Sequence, residues 1–236
     1  MTDYQGMESL FRRTLGMHSR PVAIAFRSAA PAGVEKFSGV EPSSCSYWRL
    51  AAAGRSFYTV PSDHFNCAIG SYTHNIPLPQ ERAPELEQTL KLMTGIGYLK
   101  MEEVPGIPRL AETPGVVIYA PLGETPVDPD LVLLTGRPGK TMLLQEAALR
   151  AGVRAGLPLL GRPTCMALPA ALAGGLVLSA GCIGNRVYTN VGEDELYAVV
   201  AGKDLRKIAA ELETIASANA TLFDFHRARR AELATE

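Results

Sequence analysis

Apolar residues recur at helical spacing from Tyr4 to Leu15, where Met7, Leu10, Phe11 and Leu15 share a face and Arg12 and Arg13 lie opposite. Gly16 stops that pattern. The run PVAIAF (21–26) predicts a short strand, and residues 28–42 read as a loop rich in Ala, Pro, Gly and Ser. A helix is predicted over 45–53, a strand over 56–60, and a loop carrying His64 over 61–66. Leu86, Leu90 and Met93 form one face of an amphipathic helix over 85–93, and 101–113 reads as irregular chain. GVVIYA (115–120) resembles PVAIAF and is expected to open a second half. Leu131–Leu134 predicts a buried strand, 141–151 a helix and 196–200 a strand. A long helix over about 203–229 puts Leu205, Ile208, Leu212, Ile215 and Leu222 on one face.

Two stretches repeat one plan. Cys45–Tyr72 and Cys165–Tyr188 each begin with a Cys after a hydroxyl residue, Ser44 or Thr164. Each passes through small residues to a Gly, Gly54 or Gly174, then an apolar strand, a second Cys, an Ile-Gly pair and a Tyr. Together they hold all four cysteines of the chain. The expectation is an internal duplication, giving an α/β or α+β fold of two related lobes, 1–98 and 99–236, the second ending in the long helix. One compact domain built from both lobes is the alternative. Ser44 is the expected N-cap of the first helix. Pro169 places Cys165 either at a helix start or in the loop just before it.

Composition narrows the class. With 47% apolar and 20% charged residues the chain is an ordinary globular one, and its net charge of −1 argues against a nucleic-acid partner. The N-terminal stretch has no apolar signal-peptide core. Residues 165–184 carry no charge, but Pro169 and Gly174-Gly175 break them, so no membrane span is expected. Four cysteines in a chain this long do not make a disulfide framework, which points to the reducing cytoplasm.

The cysteines carry the candidate chemistry. A Cys at a helix start meets free N–H groups and dipole charge that favour the thiolate, the form that binds metal or attacks. Cys45, Cys67, Cys165 and Cys182, brought together by a pseudo-twofold, would suit an iron–sulfur cluster or zinc. Their spacings match no standard zinc-ribbon or ferredoxin pattern. Gly70 and Gly184 let backbone approach a ligand, Tyr72 and Tyr188 are expected in its pocket, Arg186 can hold an anionic group, and His64 can move protons. His74 is a candidate of the same kind. GRPGKT (136–141) imitates a phosphate-binding loop, but the first required Gly is Leu134, so no nucleotide is expected.

Taken together, Cys45, Ala53-Gly54, Phe57-Tyr58, Cys67 and Gly70, then Pro129-Asp130, then Cys182, Gly184 and Arg186, with acids at 193–195, resemble an uncharacterised prokaryotic family, domain of unknown function 169. The resemblance runs from about Leu10 to Leu212. It departs at Ala68 and Ile69, which set the Gly further from the second Cys than the family pattern does. It implies a bacterial or archaeal cytoplasmic protein and brings no reaction with it. The leading expectation is a redox-linked, cofactor- or metal-binding protein that handles a small-molecule ligand, with the cysteines between two lobes. A cysteine-nucleophile enzyme acting on a small anionic substrate and a non-catalytic binding module remain open, as does homodimerisation.

Overall fold

The computed structural model describes residues 2–155 and 162–233. Among these, six strands form one sheet: β1 (Val22–Arg27), β2 (Phe57–Thr59), β3 (Val116–Pro121), β4 (Leu131–Gly136), β5 (Leu176–Ser179) and β6 (Leu196–Ala201). Their order is β2-β3-β1-β4-β6-β5, and every pairing is antiparallel. Helices on both faces make the class mixed α/β. They are α1 (Tyr4–Leu15), α2 (Ser46–Ala52), α3 (Ala68–Thr73), α4 (Ala83–Gly95), α5 (Pro138–Arg150), α6 (Ala167–Leu172), α7 (Ile183–Thr189) and α8 (Gly202–Leu233).

The strand order carries the duplication. Strand, helix, strand, helix, strand runs β1-α2-β2-α3-β3 and again β4-α6-β5-α7-β6. In each set the third strand lies between the other two, and the sets meet where β1 pairs with β4. The two repeats thus share one sheet. GVVIYA forms β3 and closes the first repeat instead of opening the second. The counterpart of PVAIAF is Leu131–Gly136, and the turn between repeats falls at 122–130, beyond the 98/99 border expected from the sequence. Both hexapeptides are buried on both faces, so their apolar runs look alike whatever their place in the sheet.

Alternating side chains feed two large cores, and Ala25, Val116 and Ile118 form a small third cluster. Ala23, Val132, Leu134, Ala198 and Val200 meet α1, α5 and the start of α8, with Phe11, Leu144, Leu205 and Ile208 fully buried among them. Ile24, Tyr119, Leu131, Leu133 and Val199 face α2 and α6, where Trp48 and Leu168 are buried. Only the first part of α8 packs. Leu205, Ile208 and Leu212 are buried, but Leu222, expected on the same inward face, is 55% exposed because the helix has run past the core.

Local sequence explains the helix starts. Pro169 is the third residue of α6, a position with no intrahelical N–H bond to lose. Before it, Thr164–Met166 form one tight 3₁₀ turn that holds Cys165. GRPGKT starts α5, with Pro138 in the first turn. Met101–Gly106, expected to be irregular, forms a short 3₁₀ segment. Gly54 and Gly174 end the equivalent helices at φ +107° and +121°, a backbone region that side chains strain.

Candidate functional site: a cavity lined by four thiols

The equivalent helices cross-pack. α7 of the second repeat lies against α2 of the first, and α3 of the first lies against the 164–166 turn of the second. Cys45 precedes α2, Cys67 caps α3, Cys165 sits in the 164–166 turn and Cys182 caps α7. Each crossing therefore brings a cysteine of one repeat towards a cysteine of the other. All four line one cavity of about 290 Å³. All four are free thiols; Cys45 and Cys165 are buried, and Cys67 and Cys182 are half-buried.

Short contacts tie the four together. The Ser43 hydroxyl donates to Cys45 Sγ at 3.3 Å and lies 3.9 Å from Cys67 Sγ. The Gly70 N–H donates to Cys67 Sγ at 3.2 Å. Cys165 Sγ faces the Ile69 carbonyl of α3 at 4.0 Å. The Cys182 N–H donates to Thr164 Oγ1 at 2.5 Å. The amide of Asn185 is fully buried beside Cys45 and Tyr197, and neither its nitrogen nor its oxygen has a hydrogen-bond partner.

Burial, more than helix position, sets the charge state of the two deep thiols. Loss of water pushes Cys45 up to about 12, and the neighbouring Cys67 adds to it. Burial, then Cys45 and Cys67, raises Cys165 well above its ordinary value. Both are neutral at pH 7 unless a cation joins them. The expectation that a helix start lowers the pKa of Cys45 fails here, because no water remains to solvate the anion. Among the described residues, no group of three or more His, Cys, Asp or Glu is gathered tightly enough to hold a single metal ion.

Of the other predicted residues, Tyr72, Gly184 and Tyr188 line the cavity. Gly70 stands behind it, where a Cβ would come 2.4 Å from Ser44 Oγ. Neither Gly70 nor Gly184 has positive φ; both lie in short helices, α3 and α7. His64 and Arg186 are elsewhere. His64 Nε2 meets Thr59 Oγ1 at 2.8 Å, and Thr59 donates onward to the Val117 carbonyl at 3.3 Å. Nε2 therefore carries the proton, and Nδ1 accepts from the Ser44 hydroxyl at 2.9 Å. Ser44 is thus taken by His64 and does not cap α2, which has no side-chain cap. Burial lowers the pKa of His64 well below the ordinary range. Arg186 gives its guanidinium to the carbonyls of Ala180, Gly192 and Glu195, at 2.6 Å for Gly192 and 3.2 Å for Glu195. It braces the 180–195 segment from which Cys182 projects.

His74 is buried too, with Nδ1 donating to the Gly70 carbonyl at 2.8 Å and burial lowering its pKa to about 4. Sequence reasoning missed Ser43, Asn185 and Arg162 at this site. It read Leu86, Leu90 and Met93 as an inward face, but gave no sign that this face roofs the cysteines.

Among the described residues no helix is long and apolar enough to cross a membrane. No solved structure matches the chain. An uncharacterised protein of Methanocaldococcus jannaschii is 27% identical over 184 residues, covering 73% of this chain and 77% of that one. The model of the family described as "Uncharacterised ArCR", domain of unknown function 169, matches residues 11–211. That match spans most of the sequence and all four cysteines, so the chain belongs to this family.

Proposed function

We propose that this chain is a redox-linked cofactor-binding protein of the reducing cytoplasm, with Cys45, Cys67, Cys165 and Cys182 as ligands of an iron–sulfur cluster. One observation carries the reading: four free thiols from two repeats line a single cavity. Clustered free thiols suit a reducing compartment. A cluster spreads its ligands over several irons, whereas zinc draws its donors to about 2.3 Å from one point. Four cysteines also match the usual ligand count of an iron–sulfur cluster. A bound cluster supplies electron transfer, or a Lewis-acidic iron where one position stays open.

The chain's own groups fit thiolates in that cavity. The Ser43 hydroxyl and the Gly70 N–H already donate to Cys45 and Cys67. The buried Asn185 amide, without a hydrogen-bond partner, gains an acceptor when Cys45 becomes anionic. Because Cys45 and Cys165 are held protonated by burial, loading releases protons, and metal uptake strengthens as pH rises. A metal-free nucleophilic cysteine has less support, since the deep thiols are hard to ionise and His64 commits both ring nitrogens to hydroxyls.

The test is anaerobic reconstitution with ferrous iron and sulfide, followed by the visible spectrum and assays of bound iron and acid-labile sulfide. A brown protein with both in near-equal amounts is the expected outcome. A colourless protein that holds neither overturns the reading.

A further inference from the structure

The cavity has a thiol floor and an apolar roof, and the roof belongs to one repeat only. Between α7 and β6 the chain needs residues 190–195; between α3 and β3 it runs through 74–115. That longer passage holds α4 and the 96–107 segment, which supply Leu86, Leu90, Met93, Val104 and Ile107 to the cavity wall. The duplicated scaffold does not require this insertion, since the second repeat closes its sheet without one. α4 has no fully buried residue, and its inward face, Leu86, Leu90 and Met93, remains half-exposed over the cavity.

Several polar side chains around the wall are already engaged. The Tyr72 hydroxyl donates to the Val104 carbonyl at 3.4 Å, and Thr89 bonds back to Glu85 at 2.7 Å. Asn66 donates to the Glu41 carbonyl at 3.3 Å and accepts from Arg82 at 2.9 Å. Arg162 stacks on Tyr98 at 4.8 Å, donates to the Tyr98 carbonyl and pairs with Glu103 at 3.5 Å. Among the described residues Arg162 is the one cation on the wall, and it is paired in this way. An apolar cavity of about 150 Å³ is enough to hold benzene, and this one measures about 290 Å³.

We infer that the cavity takes a small, neutral, apolar molecule of one-ring size between the α4 roof and the thiols. This names the ligand class of the site proposed above and rests on that reading only for the use to which the ligand is put. Arg186, expected to hold an anionic group, gives its guanidinium to backbone carbonyls instead. With no buried residue of its own, α4 gains burial when a ligand fills the space beneath it.

The experiment is saturation-transfer NMR with toluene and, as an anion of matched size, benzoate. Three chains are compared: wild type, Leu90→Asp in the roof, and Leu92→Asp on the outer face of the same helix, where Leu92 is 64% exposed. Toluene is expected to bind wild type and Leu92→Asp alike, at least tenfold more weakly to Leu90→Asp, with benzoate at least tenfold weaker than toluene. Benzoate binding as tightly as toluene, unchanged toluene binding in Leu90→Asp, or no toluene binding at all overturns the inference. Leu90 is only half-buried and α4 lies outside the sheet, so the variant keeps the fold, which its urea midpoint checks. Bound iron is assayed on the same samples. Toluene binding without iron uptake removes the cofactor reading and keeps this one; iron uptake without toluene binding does the reverse.

Discussion

The two repeats use one scaffold and differ in what they add to it. Ser44 and Thr164, Cys45 and Cys165, Trp48 and Leu168, Ala51 and Ala171, Gly54 and Gly174, and Thr59 and Ser179 stand at one constant offset, and their burial or backbone conformation agrees pair by pair. Beyond this frame the first repeat inserts the 60–66 turn with His64, then His74 and the α4 roof. The second inserts α5 ahead of its cysteine turn and braces the 180–195 segment with Arg186. The shared part delivers thiols to one cavity. The unshared parts decide what covers them and how each half responds to acid.

Truncating the shared frame has the largest effect on stability. Trp48 and Leu168 are equivalent and buried, Trp48 packing edge-on to Tyr197 at 5.7 Å. Trp48→Ala is expected to cost about 3–5 kcal/mol and Leu168→Ala about 2–5 kcal/mol in urea unfolding. A cost below 1 kcal/mol for either would break the equivalence.

Acid sharpens the comparison, because both buried histidines belong to the first repeat. The folded pKa of His74 is about 4, below its unfolded value, so the unfolded chain binds more protons in the interval between them. Stability is then complete above about 6.5 and falls as pH drops towards 4, by about 3 kcal/mol from His74, with His64 acting in the same direction. Urea unfolding at pH 7 and pH 5 measures it, and His74→Gln should flatten the dependence. Amides of the first repeat should lose exchange protection before those of the second. The opposite order would show that carboxylates elsewhere control the acid response.

Arg186→Lys gives the smallest effect. Lysine keeps the charge but not the fork that reaches the Ala180, Gly192 and Glu195 carbonyls. A loss of about 1 kcal/mol is expected, with faster amide exchange confined to 180–195. A matching change around Cys67 would mean that the two cysteine segments are not separately supported.

How much of this was legible in the sequence follows from which signals are local. The Cys-to-Gly spacing and the positive-φ glycines are local, so the duplication, the class and the pairing of cysteine units could be read. The strand order was not, since PVAIAF, GVVIYA and Leu131–Leu134 are all buried on both faces and their apolar runs carry no sheet position. The role of Ser44 was lost to a competition that only the fold decides, because a hydroxyl before a helix serves equally as a cap or as a partner for a histidine twenty residues on. Leu222 kept the helical period where no core remained to meet it. The convergence of the four thiols depends on α7 crossing α2 and α3 meeting the 164–166 turn, contacts between repeats that no spacing within either one encodes.

The central claim is that both repeats contribute ligands to one site. The most direct measurement is bound iron and acid-labile sulfide in the four single variants Cys45→Ser, Cys67→Ser, Cys165→Ser and Cys182→Ser, each reconstituted anaerobically beside wild type. The account predicts that every variant, in either repeat, loses most of both. Full iron and sulfide in the two variants of one repeat, with loss confined to the other, would contradict it.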